Sequence, residues 1–246
     1  MHQVFSDLLP PPGQTLRLGG DERHYLGRAL RARPGERVRV ADGLGGGVVA
    51  VLRGFEGDDA LLDVESRLDD RAEPWALHLA LCPPRGDALD QALEAAVQLG
   101  VESLVLLRSQ RTLANFDGGA LQSERLQRRL QEACRQCERS RVPALLGPLD
   151  LDQHLAQPGD GLRLFASERG GLSLSRALGE AGPALSLRTV VGPEGGFSGE
   201  ELQAAAAQGW TPVTLGQRPL RVPVAVTALF AGLRTLQAQR HPEEIT

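Results

Sequence analysis

One stretch constrains this chain more than any other: Thr189-Val190-Val191-Gly192-Pro193-Glu194-Gly195-Gly196-Phe197-Ser198-Gly199-Glu200-Glu201-Leu202. The apolar run from Leu185 to Val191 reads as a buried strand that stops at a glycine-rich turn, after which a helix begins at Ser198. Its start is a capping box, in which Ser198 accepts from the amide of Glu201 and Glu201 reaches back to the amide of Ser198. Gly192, Gly195 and Gly196 free the turn for left-handed or close-approach backbone that a side chain would forbid. Amides exposed at the carboxyl end of a strand form a ligand site in α/β sheets, although a glycine-rich loop alone is also an ordinary strand-to-helix link.

A second segment shifts that balance. Leu215-Gly216-Gln217-Arg218-Pro219-Leu220-Arg221 follows a short strand, Thr211 to Leu215, and opens into a helix from Val224 to about Arg240. Two glycine-containing loops on consecutive strand ends can converge on one pocket.

Together, Gly192-Pro193-Glu194-Gly195-Gly196-Phe197 and Leu215-Gly216-x-Arg218-x-Leu220-Arg221 resemble the two cofactor-loop signatures of the SPOUT methyltransferases. Over nearly its whole length the chain resembles the ribosomal RNA small subunit methyltransferase E branch. The resemblance implies transfer of a methyl group from S-adenosylmethionine to N3 of a uridine in small-subunit (16S) ribosomal RNA. It implies an α/β fold: a C-terminal parallel-sheet domain with a trefoil knot, preceded by a small β-barrel of the PUA type. It further implies cofactor contacts at Gly192, Pro193, Glu194, Gly195, Gly196, Leu215, Gly216, Leu220, Arg221 and Ala225, and a homodimer acting on ribosomal RNA or the small ribosomal subunit.

The rest of the chain agrees with a globular protein of one large or two modest domains, with 246 residues and 41% apolar content. A net charge of -4 gives no global signature of nucleic-acid binding, so any such surface must be local. All 27 lysine-plus-arginine positions are arginine, which excludes a catalytic, Schiff-base or Walker-type lysine. Met1 to Pro12 lacks the pattern of a signal peptide and no apolar run reaches membrane-spanning length, so a cytoplasmic location without membrane contact is expected. Cys134-x-x-Cys137 has metal-ligand or redox spacing, but no second pair or nearby histidine completes it, and both cysteines fit the apolar face of a helix. No metal is expected.

Residues 1–72 read as the first domain. A helix is expected from Asp21 to about Ala32, and strands at Arg37 to Val40, Val48 to Leu52 and Leu61 to Val64. Ala41-Asp42-Gly43-Leu44-Gly45-Gly46-Gly47 has the glycines of a dinucleotide loop, but a strand rather than a helix follows, which favours a hairpin. Asp69 to Pro74 reads as a linker, and residues 73–246 as the second domain. There the rhythm becomes strand and helix in alternation: strand Trp75 to Cys82, helix Asp87 to Leu99, strand Ser103 to Leu107, helix Ser123 to Arg139, strand Leu162 to Phe165 and helix Leu172 to Gly179, before the two loop-bearing units. Such alternation argues for a largely parallel sheet with ligands at the strand carboxyl ends.

Local basic charge is concentrated in two places. Seven arginines between Arg17 and Arg39 face three acids, and six between Arg125 and Arg141 face two, a balance of +4 in each. Such runs are commonly solvated faces. The family resemblance extends through His24-Tyr25-Leu26, Arg28-x-Leu30-Arg31-x-Arg33-Pro34-Gly35, Arg85-Gly86-Asp87 and Gln136, Arg139 and Val142-Pro143, and implies RNA contact at Arg23, Arg28, Arg31, Arg33, Arg85, Gln136 and Arg139. Arginine suits that task through bidentate phosphate binding and base stacking. For Arg85-Gly86-Asp87 a plain helix cap by Asp87 is an equally good reading.

Methyl transfer to N3 needs alignment of that nitrogen with the methyl carbon and stabilisation of the ring anion. Arg221 and Arg139 are the candidate catalytic residues, with Arg85 a further arginine for that role. After Arg221 the chain has Val222-Pro223-Val224-Ala225, where the family carries an acid and a hydroxyl. The alternative reading is therefore a catalytically impaired homologue that binds cofactor and RNA without transfer. A nucleotide-binding enzyme of another kind would need a phosphate-cradling lysine, which is missing.

Overall fold

The computed structural model describes residues 1–68, 73–113, 124–168, 170–179 and 185–241. Most of the expected linker, 69–72, and the expected helix start at Ser123 lie outside them. The chain forms two compact units, one of residues 1–72 with 130–142, the other of residues 73–129 with 143–246.

In the first unit, strands β1 (His2–Phe5), β2 (Thr15–Leu18), β3 (Arg37–Ala41), β4 (Gly47–Glu56) and β5 (Asp59–Arg67) form one sheet in the order β1-β3-β4-β5-β2. β1 and β3 are parallel, and the other pairs antiparallel. The register sets Val38 opposite Ala50, Val40 opposite Val48 and Leu52 opposite Leu62. These side chains, with Val4, Leu16 and Val64, make the core. Hydrophobic alternation fixes that register, because a slip by one residue would turn the apolar set outward. The glycine-rich segment closes the β3–β4 hairpin: Asp42 Oδ1 accepts from the amides of Leu44 at 2.7 Å and Gly46 at 2.8 Å.

The expected helix from Asp21 to Ala32 is shorter and of two kinds. α1 (Gly20–His24) passes into a π-turn, Tyr25–Ala29, and Arg31 then takes a left-handed φ of 51°. Widening the turn buries Leu26 completely in the sheet core.

Residues 130–142 belong with this unit through their side chains. Cys134 is fully buried. Gln3 Nε2 donates to the carbonyl of Arg139 at 2.7 Å, and Arg39 donates to that of Glu138 at 2.9 Å. Arg135 pairs with Glu22 and lies 4.4 Å from the Tyr25 ring centroid. Burial pushes the Glu22 carboxyl up while Arg135 opposes the rise.

The second unit alternates strand and helix: β6 (Trp75–Leu81), α2 (Ala88–Gln98), β7 (Val101–Arg108), α3 (Glu124–Gln136), β8 (Ala144–Asp150), α4 (Leu151–Ala156), β9 (Leu162–Ala166), α5 (Leu174–Leu178), β10 (Leu185–Val191), α6 (Gly199–Ala207), β11 (Thr211–Val213) and α7 (Val222–Arg240). The final turns of α3 are those grouped with the first unit. The sheet order is β11-β9-β10-β6-β7-β8, and every pair is parallel. Chain order runs outward from β6 through β7 to β8, then crosses to β9, and β10 returns between β9 and β6. This reversal of direction is where a parallel sheet opens a crevice.

β1, β2, β8 and α4 are not among the elements expected from the sequence. β8 is an edge strand with Leu146 exposed and Gly147-Pro148 in its middle, so neither alternation nor a continuous apolar run marks it.

His154 on α4 is buried, its ring 5.7 Å from that of Trp210, and neither of its nitrogens has a hydrogen-bond partner among the described residues. Burial, aided by the charge of Arg188, pushes its pKa down to about 4 from 6.5. Between those values the unfolded chain takes the proton and the folded one does not. Stability present above pH 6.5 should therefore fall by up to about 3 kcal/mol as pH drops towards 4. Urea unfolding on both sides of this window checks it, and His154→Phe should flatten the dependence; an unchanged slope in the variant would assign it to other groups.

Candidate active site

The loops after β9, β10 and β11, three strands adjacent in the sheet, meet the start of α7 around a cavity of about 360 Å³. Ala166, Ser167 and Glu168 come from the first loop; Gly192, Pro193, Gly195, Gly196 and Phe197 from the second; Leu215, Gly216, Arg218 and Leu220 from the third. Val222 and Ala225 of α7 and Arg111 beyond β7 complete the wall with Val191 and Leu202.

The second loop is a tight turn in which the Gly196 amide donates to the Pro193 carbonyl at 2.9 Å. Gly196 sits at φ 65°, which favours glycine. Gly192 is required for a different reason: a Cβ there would lie 2.5 Å from the Phe197 ring. That ring packs on Phe165 with centroids 4.2 Å apart. The turn ends in the expected capping box, Ser198 Oγ accepting from the Glu201 amide at 3.2 Å and Glu201 from the Ser198 amide at 2.8 Å. In the third loop, Thr214 Oγ1 donates to the Gly216 carbonyl at 2.9 Å, and Gly216 has φ 138°.

Two further tethers hold the cavity wall. Glu201 is buried, and its other carboxylate oxygen accepts from the Gln110 amide at 2.8 Å. The next residue, Arg111, donates from Nη1 to the Gly195 carbonyl at 2.9 Å and to that of Phe197 at 3.4 Å. The capping carboxylate therefore also fixes the segment after β7, and Arg111 returns the connection to the double-glycine turn. Such groups hold a loop in one geometry by the number of bonds that must break together.

Of the residues expected to bind the cofactor, Gly192, Pro193, Gly195, Gly196, Leu215, Gly216, Leu220 and Ala225 line the cavity. Glu194 and Arg221 are exposed and are not among its lining residues. Arg221 instead occupies the N-cap of α7, without a side-chain capping bond, and Pro223 fits the first turn, where its missing amide costs nothing. Arg111, Ser167 and Glu168 escaped the sequence reading. Each stands just past the carboxyl end of a strand, and that position was the available signal.

The expected RNA contacts divide between the units. Arg28, Arg31 and Arg33 are exposed in the first unit, where Gln136 is exposed and Arg139 half-buried. Arg23 in that unit lies 5.1 Å from the Phe55 ring centroid. Arg85 belongs to the second unit, exposed ahead of α2. Asp87 is the N-cap of α2 but makes no side-chain capping bond. On α3, Arg125 and Arg129 both pair with Asp90. Burial pushes the thiol of Cys134, on α3, up to about 12 and also raises that of Cys137, which stands half-buried in the turn after α3 rather than on the expected helix face. Among the described residues no group of three or more His, Cys, Asp or Glu could hold a metal ion, and no helix is long and apolar enough to cross a membrane.

Residues 71–234 match the family described as RNA methyltransferase domain, and residues 18–59 match the RNA methyltransferase PUA domain. Ribosomal RNA small subunit methyltransferase E of Synechocystis sp. is 31% identical over 226 residues, which cover 90% of this chain and 73% of that protein. The chain belongs to the ribosomal RNA small subunit methyltransferase E family. The Mycobacterium tuberculosis member is 28% identical over 245 residues, covering 96% of this chain and 92% of its own. A crystal structure of the Neisseria gonorrhoeae methyltransferase E, bound to S-adenosylmethionine, superposes with a TM-score of 0.86 at 29% identity, covering 96% of this chain and 98% of that one. The five-stranded unit is thus the PUA-type domain of a methyltransferase E, and the parallel sheet its SPOUT-type α/β domain.

Proposed function

We propose that this methyltransferase E transfers a methyl group from S-adenosylmethionine to N3 of a uridine in small-subunit ribosomal RNA. The observation that carries the reading is the cavity at the reversal point of the parallel sheet. Its volume, its backbone-lined turns and its apolar patches from Leu215, Leu220, Val222 and Ala225 fit an adenosine joined to an amino acid. Backbone bare of side chains at Gly195, Gly196 and Gly216 would let polar groups of the cofactor approach closely, and Leu215 and Leu220 would cover its adenine. When bound, S-adenosylmethionine supplies a methyl carbon on a leaving group that departs as a neutral thioether.

The chain's own residues then have two tasks. One is to hold the uracil ring with N3 in line with the methyl carbon, which alone lowers a barrier by several kcal/mol. The other is to favour the N3 anion, since neutral N3 carries a proton and is a poor nucleophile. Arg221 and Arg139 are the arginines assigned to stabilise the developing charge at the uracil carbonyls. Arg23, Arg28, Arg31, Arg33, Arg85 and Gln136 are assigned to RNA, which they position through phosphate and base contacts. The reading further comprises domains at 1–72 and 73–246, a trefoil knot around the cofactor loops, a homodimer and a cytoplasmic location.

A second reading has an observation of its own. At the cavity edge the first turn of α7 offers Val222, Pro223 and Val224, with neither acid nor hydroxyl. A first turn without an acid or a hydroxyl to handle a proton favours a chain that binds cofactor and RNA without transferring the methyl group. Transfer from labelled S-adenosylmethionine to unmodified small-subunit ribosomal RNA and to small subunits, with mapping of the methylated base, separates the two. N3-methyluridine supports the first; cofactor binding without transfer supports the second. Arg221→Ala and Arg139→Ala should each lower turnover by about 100-fold while changing cofactor affinity less than about threefold. Turnover equal to wild type would remove that arginine from the mechanism.

A further inference from the structure

We infer that Glu168 sets the preference of this cavity for the cationic cofactor over its spent, neutral form, an inference that rests on reading the cavity as the S-adenosylmethionine site. In the transfer, the sulfur–methyl bond breaks as the nitrogen–carbon bond forms, the bonding pair stays on sulfur, and the sulfonium becomes a thioether. Cofactor and by-product therefore share one shape, less a methyl group, and differ by one positive charge. A site that must take up the first and release the second distinguishes them chiefly by electrostatics.

The cavity has the means in a single side chain. Its charged lining residues among those described are Arg111, Glu168 and Arg218, and only Glu168 is negative. It lies beside the double-glycine turn. A Cβ on Gly196 would lie 3.5 Å from the Glu168 carboxylate carbon, and a Cβ on Gly195 would lie 3.5 Å from Cβ of Arg111. Both are ordinary contact distances, and they place the arginine beside one glycine and the acid beside the other. Arg111 directs Nη1 to the carbonyls of Gly195 and Phe197, whereas the Glu168 carboxylate stands on the cavity wall as its one anion. An anion there interacts with a sulfonium held anywhere in so small a cavity, and has nothing of the kind to gain from a thioether. The consequence is weaker product inhibition than an uncharged residue at 168 would give.

Calorimetric titration of wild type and Glu168→Gln with S-adenosylmethionine, with S-adenosylhomocysteine, and with an analogue carrying an amine in place of the methylsulfonium tests this. The variant should bind both cationic ligands about threefold to tenfold more weakly, the size of one charge pair in a solvent-open cavity, and the homocysteine form within about twofold of wild type. Glu168→Asp should restore part of the preference. Equal weakening for all three ligands, or no change for any, would overturn the inference. Wild type that binds none of them would instead remove the reading of the cavity itself. Because Glu168 is exposed, thermal unfolding of the variant should match wild type.

Discussion

Gly192→Ala should weaken S-adenosylmethionine binding by about tenfold to a hundredfold while the protein stays folded. The added methyl group would stand 2.5 Å from Cε2 and 2.8 Å from Cζ of Phe197. The ring cannot swing aside freely, because it packs at a tilt against Phe165, which is buried in the core of the second unit. The clash is relieved only by moving the 192–197 loop, at a cost of about 1–3 kcal/mol, and that loop is the longest part of the cavity wall. Gly199→Ala is the matched control, since a Cβ there meets nothing within 4 Å and its φ is ordinary. Titration calorimetry on both variants, with circular dichroism to verify folding, reads the difference. Equal affinity for Gly192→Ala and wild type would mean that the loop re-forms around the methyl group.

The largest stability loss is expected from Arg234→Met. Arg234 on α7 donates from Nε to the Leu99 carbonyl at 2.9 Å, from Nη2 to the Gly100 carbonyl at 2.7 Å and from Nη1 to the Trp75 carbonyl at 3.2 Å. Its guanidinium also lies 3.1 Å from the Glu73 carboxylate. One side chain thus satisfies carbonyls at the end of α2 and the start of β6, groups that a helix terminus leaves without internal partners. Gly100, at φ 81°, leaves the space in which the guanidinium lies. Methionine keeps the stem but strands those carbonyls, costing about 2–4 kcal/mol, or roughly 5–15 °C in Tm for a domain of this size. Calorimetric melting measures it. A shift below about 2 °C would show that water replaces the guanidinium without loss.

Arg234 also illustrates what sequence reading misses. Nothing in Thr235 or its neighbours marks residue 234 as the partner of Leu99, because the two are 135 residues apart. The same holds for Arg111 and Glu201: the capping box was legible from Ser198 and Glu201, but the second use of that carboxylate, on the Gln110 amide, was not. Glu168 opens a loop after β9 that has its own double glycine, Gly170-Gly171, but no match to either cofactor-loop motif drew attention to it. The helix expected from Ser123 to Arg139 ends at Gln136; Leu126, Leu130, Ala133 and Cys134 form its buried stripe, Cys137 lies in the turn beyond, and the unit that residues 130–142 join depends on Gln3, Glu22 and Arg39.

Local periodicity and turn chemistry are enough to specify the strand into β10, the double-glycine turn with its capped helix, the β3–β4 hairpin and the alternation that makes a parallel sheet. The sequence motifs also marked eight positions that line the cavity. Tertiary structure decided the order of the strands, with β10 returning between β9 and β6, and hence that three loops rather than two build the site. It also decided which charges face that site. Arg221, expected from the motif to touch the cofactor, stands at the N-cap position of α7 and is not among the cavity-lining residues, while Arg111 and Glu168 reach the wall just beyond β7 and β9. The reason is physical: propensity and capping act within a few residues, whereas a cavity is made by strand ends brought together across the chain, and no local pattern encodes which neighbour a strand will choose.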